Sequence, residues 1–477
     1  MTSALHPDRL FPANAQQRAI CRELYADVKD MPIISPHGHT DPSWFAENEN
    51  FPNPAELLII PDHYVLRMLY SQGVTMESLG VKPRDGSDYE ADPRKVWQAF
   101  ADHYYLFAGT PSRIWFDHVI TEIFGIDKAL TSDTAQDIYD VMDVALKTDD
   151  FKPRALLDRF KINLIATTEG ALNDLRHHKS MIGSGYEHRV ITTFRPDDVV
   201  DASKPEFAYN LKKLAELTDC DTSDWEGYLQ ALRIRRKYFR DVGRATATDH
   251  GHPSARTADL PKSECQALLT KCLSGAANEE ECDLFRGQML TEMAGMSLDD
   301  GMTLQIHPGS YRNHNTPLYE RFGPDKGADI PLPVNYTEGL QPLLAKYGNE
   351  LGLTVILFTL DESNYSRELA TLAGHYPCLK LGPPWWFHDS PQGMMRFRDQ
   401  VTETAGFYNT AGFNDDTRAF LSIPARHDVA RRMDCVFLSQ LVSEHKITLG
   451  EARSILVDLT YNLARDAYKL PLEKASV

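Results

Sequence analysis

Two histidines one residue apart close an apolar run in Pro32-Ile-Ile-Ser-Pro-His-Gly-His-Thr-Asp41. Residues of equal parity face the same side of an extended chain, so His37 and His39 can converge on one metal ion at a strand's end. The pair is a weak signal alone, because 17 histidines in 477 residues give about 0.6 His-x-His pairs by chance. A second pair, His250 and His252, is present. A bare pair is more often a hydrogen-bonded or surface pair than a ligand pair, so the elements around each must decide.

The first pair follows a short apolar segment, residues 31–36, reached through a helix that Asn14 and Gln17 open and that Ile20, Leu24 and Val28 stripe. Residues 44–155 then carry helical signatures and hardly any strand alternation. Asp92-Pro93 and Thr110-Pro111 each read as an N-cap followed by proline, and Gly109 as a helix stop. Within this region Asp62-His63-Tyr64 opens a helix, and by itself the sequence makes His63 and Tyr64 exposed polar residues at its start.

Beyond residue 155 short β-rich runs alternate with helices. The expected strands are Lys161–Glu169, Arg189–Arg195, Ala245–Asp249, Met302–His307, Leu353–Leu360, Cys378–Leu381 and Ala411–Asp416. With the first they make eight, the number that closes a (β/α)8 TIM-type barrel in the α/β class. A doubly wound open sheet competes, but it normally shows a glycine-rich phosphate loop after strand one, and Pro-His-Gly-His is not one. The expected organisation is 1–43 as N-terminal helix and first strand, 44–155 as a helical insertion over the barrel mouth, and 156–477 as the remaining barrel. A last helix, opened by Thr448-x-x-Glu451, is expected on the barrel exterior.

Barrel active sites sit at the C-terminal ends of the strands. Those ends supply His37 and His39, then Arg195, then Asp249 with His250, then His307, then Trp385 with Trp386, and finally Asp416 with Arg418. Singly, each has an ordinary reading as a cap, a loop salt bridge or a wall residue. Six strands of eight ending this way is a constellation that barrel packing does not require. Strand eight neighbours strand one in a closed barrel, so His37, His39 and Asp416 can bind one divalent ion with open positions, the catalytic pattern. The expected cofactor is one such ion, zinc.

The net charge of −18 argues against nucleic acid as a partner. An anionic small substrate then needs a local arginine cluster. Seven scattered cysteines without any Cys-x-x-Cys read as reduced thiols. The opening Met-Thr-Ser-Ala-Leu-His-Pro-Asp-Arg-Leu lacks the apolar core of a signal peptide, and no run approaches the ~20 residues of a membrane span. The expected location is the cytoplasm, away from membranes.

These residues together resemble the uronate isomerases (glucuronate isomerases) of the amidohydrolase superfamily. The motifs that carry the resemblance are Ser-Pro-His-Gly-His-Thr-Asp-Pro-Ser-Trp (35–44), Asp-His-Tyr (62–64), Phe-Arg-Pro-Asp (194–197), Thr-Asp-His-Gly (248–251), Gln-Ile-His-Pro-Gly-x-x-Arg-Asn-x-Asn (305–315), Trp-Trp-Phe-His-Asp (385–389) and Asp-Thr-Arg-x-Phe-Leu-Ser (416–422). The resemblance implies interconversion of D-glucuronate with D-fructuronate, and of D-galacturonate with D-tagaturonate, in hexuronate catabolism. It implies metal ligation by His37, His39 and Asp416, and it places His250 with Asp249 in a substrate-facing loop. It brings His63 and Tyr64 into the site, with Tyr64 as proton shuttle helped by a nearby Arg418, and Asp416 also as a base toward a substrate hydroxyl. Arg195, Asp249, His307, Arg312 and Trp386 are implied substrate-binding residues. A mononuclear metal-dependent hydrolase is the competing activity and a silent scaffold barrel a more distant one; the oligomeric state, a homo-oligomer included, stays open.

Overall fold

The computed structural model describes residues 5–476; the first four residues of the N-terminal stretch read above, and Val477, lie outside them. Seven parallel strands form one sheet: β1 (Ile33–Ser35), β2 (Ile162–Gly170), β3 (Val190–Arg195), β4 (Ala247–His250), β5 (Thr303–Ile306), β8 (Val355–Leu357) and β9 (Leu379–Leu381), in that spatial order. Between β5 and β8 the chain makes a small antiparallel pair, β6 (Ser310–Tyr311) with β7 (Ile330–Pro331). Long helices such as Trp225–Gly243, Glu279–Asp300 and Ile423–Ser443 follow the strands.

The expected eighth strand, Ala411–Asp416, is not a regular strand. Thr410 makes one parallel bridge to Leu381, and the Ala411 amide donates to the Leu381 carbonyl at 2.8 Å. At the other end the His39 amide donates to the Thr417 carbonyl at 3.0 Å. The segment therefore stands between β9 and β1 as an irregular stave. Gly412 (φ 72°) and Asp416 (φ 39°) lie in the left-handed region, which breaks the β ladder while turning Asp416 toward the histidines.

The barrel interior is apolar at mid-height, with Ile34, Leu164, Ala166, Ile191, Ala247 and Ile356 in contact. The chain's end completes this core. Helix Leu449–Val457 packs outside, against Ala15–Val28 and Ile423–Ser443, as its capping box at Thr448 and Glu451 suggests. The continuation does not, because Tyr461, Ala464, Ala467, Tyr468 and Leu470 join the interior cluster. Tyr468 donates to Gln305 Oε1 at 2.8 Å, and Thr303 donates to the Ala467 carbonyl at 2.7 Å. A tail of small and aromatic residues thus plugs the barrel, a correction to an all-exterior placement.

From Pro42 to Arg159 the chain is helical and without a strand. Its apolar residues, among them Phe45, Leu66, Trp97 and Phe116, share one cluster with Ile33, Ile162 and Phe420 at the barrel wall. None of the helices among the described residues is long and apolar enough to cross a membrane.

One polar knot lies in the wall. Glu169 on β2 is buried and accepts from Thr167 (2.8 Å) and Thr192. Burial raises its pKa to about 7 against the lowering effect of the two hydroxyls. A carboxyl raised in the folded state contributes stability below its ordinary pKa that is lost as pH rises through about 7. The shift corresponds to about 3 kcal/mol. Glu169→Gln should therefore flatten stability between pH 5 and pH 8 and gain most at pH 8. Denaturant titrations at both pH values check this, and an unchanged slope would remove Glu169 as its cause.

Candidate active site

Every residue singled out above as a ligand, acid–base or substrate-binding group lines one cavity of about 340 Å³ at the C-terminal ends of the strands. That is the size of a small-molecule site. Strand geometry explains the gathering. His37 and His39 leave β1 on the same side, Asp249 is the inward residue of β4, and His307 follows β5. His250, next to Asp249 in the strand, points the other way and is fully buried, bonded to Thr248 Oγ1 at 3.0 Å. The expected loop containing both is thus a strand, and only Asp249 of the two faces the cavity.

His37 Nε2 and His39 Nε2 lie 3.6 and 3.1 Å from Asp416 Oδ1. Donor atoms about 2.1 Å from a tetrahedral ion are about 3.4 Å apart, so the spacing fits one ion. Asp416 Oδ1 is buried and has no hydrogen-bond partner despite these close approaches, as expected for donors aimed at a common point. Its other oxygen accepts from Trp385 Nε1, which fixes the carboxylate's orientation. Burial works against this carboxylate's charge, but the two imidazoles outweigh it and hold its pKa well below the usual range.

Behind the histidines the Gln305 amide lies 3.4 Å from His37 Nδ1 and is itself held by Tyr468. A partner on the far ring nitrogen orients a metal-binding histidine, and losing one typically costs 10–100-fold in affinity. Gln305→Leu should bind zinc about 10–100-fold more weakly with the fold intact. Competition with a chelating dye reads the affinity, and an unchanged value would leave Gln305 with a packing role.

Four arginines line the cavity, each tethered by an acid, and three of them are those expected from the sequence. Arg195 Nε donates to Asp197 at 2.9 Å, and its Nη1 is 3.3 Å from Asp249. Burial alone would lower its pKa; the carboxylates raise it instead. Arg418 pairs with Asp325 at 3.0 Å, and Arg312 pairs with Asp329 at 2.8 Å while its guanidinium stacks 4.9 Å over Trp386. Asp325 and Asp329 come from the excursion between β6 and β7. Asp249 also lies 2.7 Å from His307 Nε2.

His63 and Tyr64 are not exposed. Asp62 caps their helix by accepting from the Tyr64 amide at 2.8 Å, which directs both rings toward the cavity. Their ring centroids are 4.6 Å apart, and His63 lies 5.5 Å from Trp386. Burial pushes the His63 pKa down to about 3, so its imidazole is neutral. Burial also holds the Tyr64 phenol well above its usual pKa, and the cation that works against this is Arg426, whose guanidinium is 5.8 Å from the ring centroid.

Arg418, expected to help Tyr64, lines the same cavity and pairs with Asp325, while the cation acting most on the Tyr64 phenol is Arg426. Arg426 is buried, stacks 3.6 Å over Trp115 and donates to Asp389 at 2.6 Å. Sequence reading missed it because it sits in the first turns of a helix, Ile423–Ser443, whose apolar stripe resembles ordinary packing. No sequence signal marks it, because Arg426, His427, Arg431 and Arg432 differ from surface cations only in being buried, which packing alone shows.

The family model for glucuronate isomerase matches residues 12–468. A uronate isomerase of Mesorhizobium japonicum is 58% identical over 470 residues, covering 98% of this chain and 100% of that relative. The crystal structure of glucuronate isomerase from Caulobacter crescentus superposes with a TM-score of 0.97 at 56% identity, covering 99% of this chain and 98% of that one. A uronate isomerase from Thermotoga maritima, 26% identical, superposes with a TM-score of 0.90 over 98% of this chain and 99% of its own. With the match running from the first helix to the barrel plug, the chain belongs to the glucuronate isomerase family.

Proposed function

We propose that this enzyme interconverts D-glucuronate with D-fructuronate, and D-galacturonate with D-tagaturonate. The observation that carries this reading is the convergence of four arginines, a three-donor metal set and a buried phenol on one cavity in a chain of this family. Moving hydrogen from C2 to C1 by way of an enediolate needs an acid–base group over those carbons and positive charge near the oxygens. His37, His39 and Asp416 would hold one divalent ion, zinc by donor type. When bound, the ion supplies Lewis-acid polarisation of substrate oxygens.

The protein's own groups do the rest. Arg195 takes the uronate carboxylate through its planar fork, with Asp197 and Asp249 holding the guanidinium in place. Trp386 and Arg312 form a wall for the sugar, and His307 with Asp249 receives its hydroxyls. Asp416, held ionised, accepts a substrate hydroxyl proton. Tyr64 carries the proton between C2 and C1, and Arg426 supplies the positive charge its phenolate needs. His63, neutral beside it, offers an unpartnered Nε2 as a relay. Residues 44–155 act as an insertion over the barrel mouth, since they supply His63 and Tyr64. A cytoplasmic location is supported by seven cysteines, all free.

Incubation with D-glucuronate should produce a ketose, and absence of any ketose would end this reading. Arg195→Lys keeps the charge and loses the fork, so kcat/KM on uronates should fall more than tenfold, roughly 1.4 kcal/mol of transition-state stabilisation. Unchanged efficiency would assign the carboxylate to Arg312 or Arg418.

A further inference from the structure

A second set of metal-type donors assembles outside the cavity, where β3 and β4 end. Asp197 follows β3, His250 ends β4, and His252 comes two residues later, repeating on strand four the parity of His37 and His39 on strand one. An Asp197 carboxylate oxygen and one ring nitrogen from each histidine lie within 4.8 Å of one another. We propose that Asp197, His250 and His252 bind a second divalent ion, zinc by its two-imidazole, one-carboxylate donor set, in a site separate from that of His37, His39 and Asp416.

The strongest support is what these side chains lack. His252 is 4% exposed, and neither ring nitrogen has a hydrogen-bond partner; His250 is 0% exposed, and its Nδ1 has none. Buried polar atoms without partners are uncommon because they forfeit water for nothing. Three such nitrogens beside a carboxylate make a donor set that a cation satisfies at once.

The surrounding charge permits it. Arg286 nearby is engaged by Asp201 at 2.8 Å and Asp283 at 3.2 Å, and Arg195 by Asp197 and Asp249. Asp197 already accepts from Arg195 Nε at 2.9 Å and from the Gly251 amide at 3.3 Å, so the second ion competes for that carboxylate and binds more weakly than the first. The second site borders the cavity at Gly251, next to Arg195 and His307. A Cβ there would stand 2.6 Å from Arg195 Nη2 and 3.1 Å from Asp197 Oδ2, so no larger residue fits without displacing both.

Asp197 is also the acceptor for Arg195 Nε. Capture of that carboxylate by an ion frees the fork it holds, so zinc beyond one equivalent should raise KM for D-glucuronate. This consequence rests on the role given to Arg195; the binding does not.

The test is zinc stoichiometry of the chelator-treated full chain after gel filtration, with anomalous diffraction at the zinc edge from crystals soaked in excess zinc. Two equivalents are expected, one peak at His37, His39 and Asp416 and a second among Asp197, His250 and His252. His252→Gln should keep the first peak and lose the second. One equivalent at saturation, or a second equivalent that survives His252→Gln, overturns the site. Should His252→Gln fail to fold, the wild-type map decides alone. A second peak with unchanged KM keeps the site and removes its coupling to Arg195.

Discussion

Tyr64→Phe should fold, keep its metal and bind uronate, yet turn it over about 10²–10⁴-fold more slowly, the range a positioned acid–base group supplies. The phenol is the one group removed, because the ring keeps its contacts with His63 and with Trp115 at 5.8 Å. In the resting site Tyr64 is neutral, since burial favours the uncharged phenol and Asp389, Asp416 and Asp62 add to that preference. The proposed role therefore requires it to lose its proton once substrate is in place, with Arg426 as the stabilising charge. A proton held on a side chain exchanges with solvent, whereas a hydride passing between carbons does not. Turnover in deuterated water should place deuterium at C1 of the ketose. Near-normal turnover by Tyr64→Phe would end the role assigned to Tyr64, whatever the isotope result.

Much of this arrangement is legible in the sequence, and the failures have physical causes. Strand-end positions are marked by a change from branched apolar to polar residues, so Arg195, Asp249, His307 and Asp416 can be found without coordinates. The eighth strand reads as a strand because Ala411 and Phe413 alternate with smaller or polar residues, but closing a barrel at a metal-type site favours a bent stave over a straight ladder. The plug at 461–470 has the same helical period as an exterior helix, and periodicity cannot say which apolar surface a stripe will meet. Tyr64 has helix-start chemistry through Asp62, which conceals that the start faces a cavity. Arg426 is hidden by the same rule: on a long helix a charged residue reads as solvent-facing, and only packing reveals one that is 2% exposed.

Arg426 is therefore the position where substitution should damage both stability and chemistry. Its guanidinium compensates Asp389, a buried carboxyl whose second oxygen has no partner and whose pKa burial has raised to about 6 despite that cation. Arg426→Met leaves the carboxyl without its partner, and breaking a buried pair from one side costs about 3–5 kcal/mol. With the cation gone the folded-state pKa of Asp389 rises further. A raised carboxyl pKa means stability lost as pH increases, so the variant should be markedly weaker at pH 8 than at pH 5.5. Arg426→Met/Asp389→Leu removes the orphaned carboxyl and should recover most of the fold and abolish the share of the pH dependence that Asp389 causes. It should not recover turnover, because Tyr64 still lacks the charge that makes its phenolate accessible. Denaturant midpoints at the two pH values report the first effect and kcat on D-glucuronate the second. A double variant with near-normal kcat would show that Arg426 serves the fold alone.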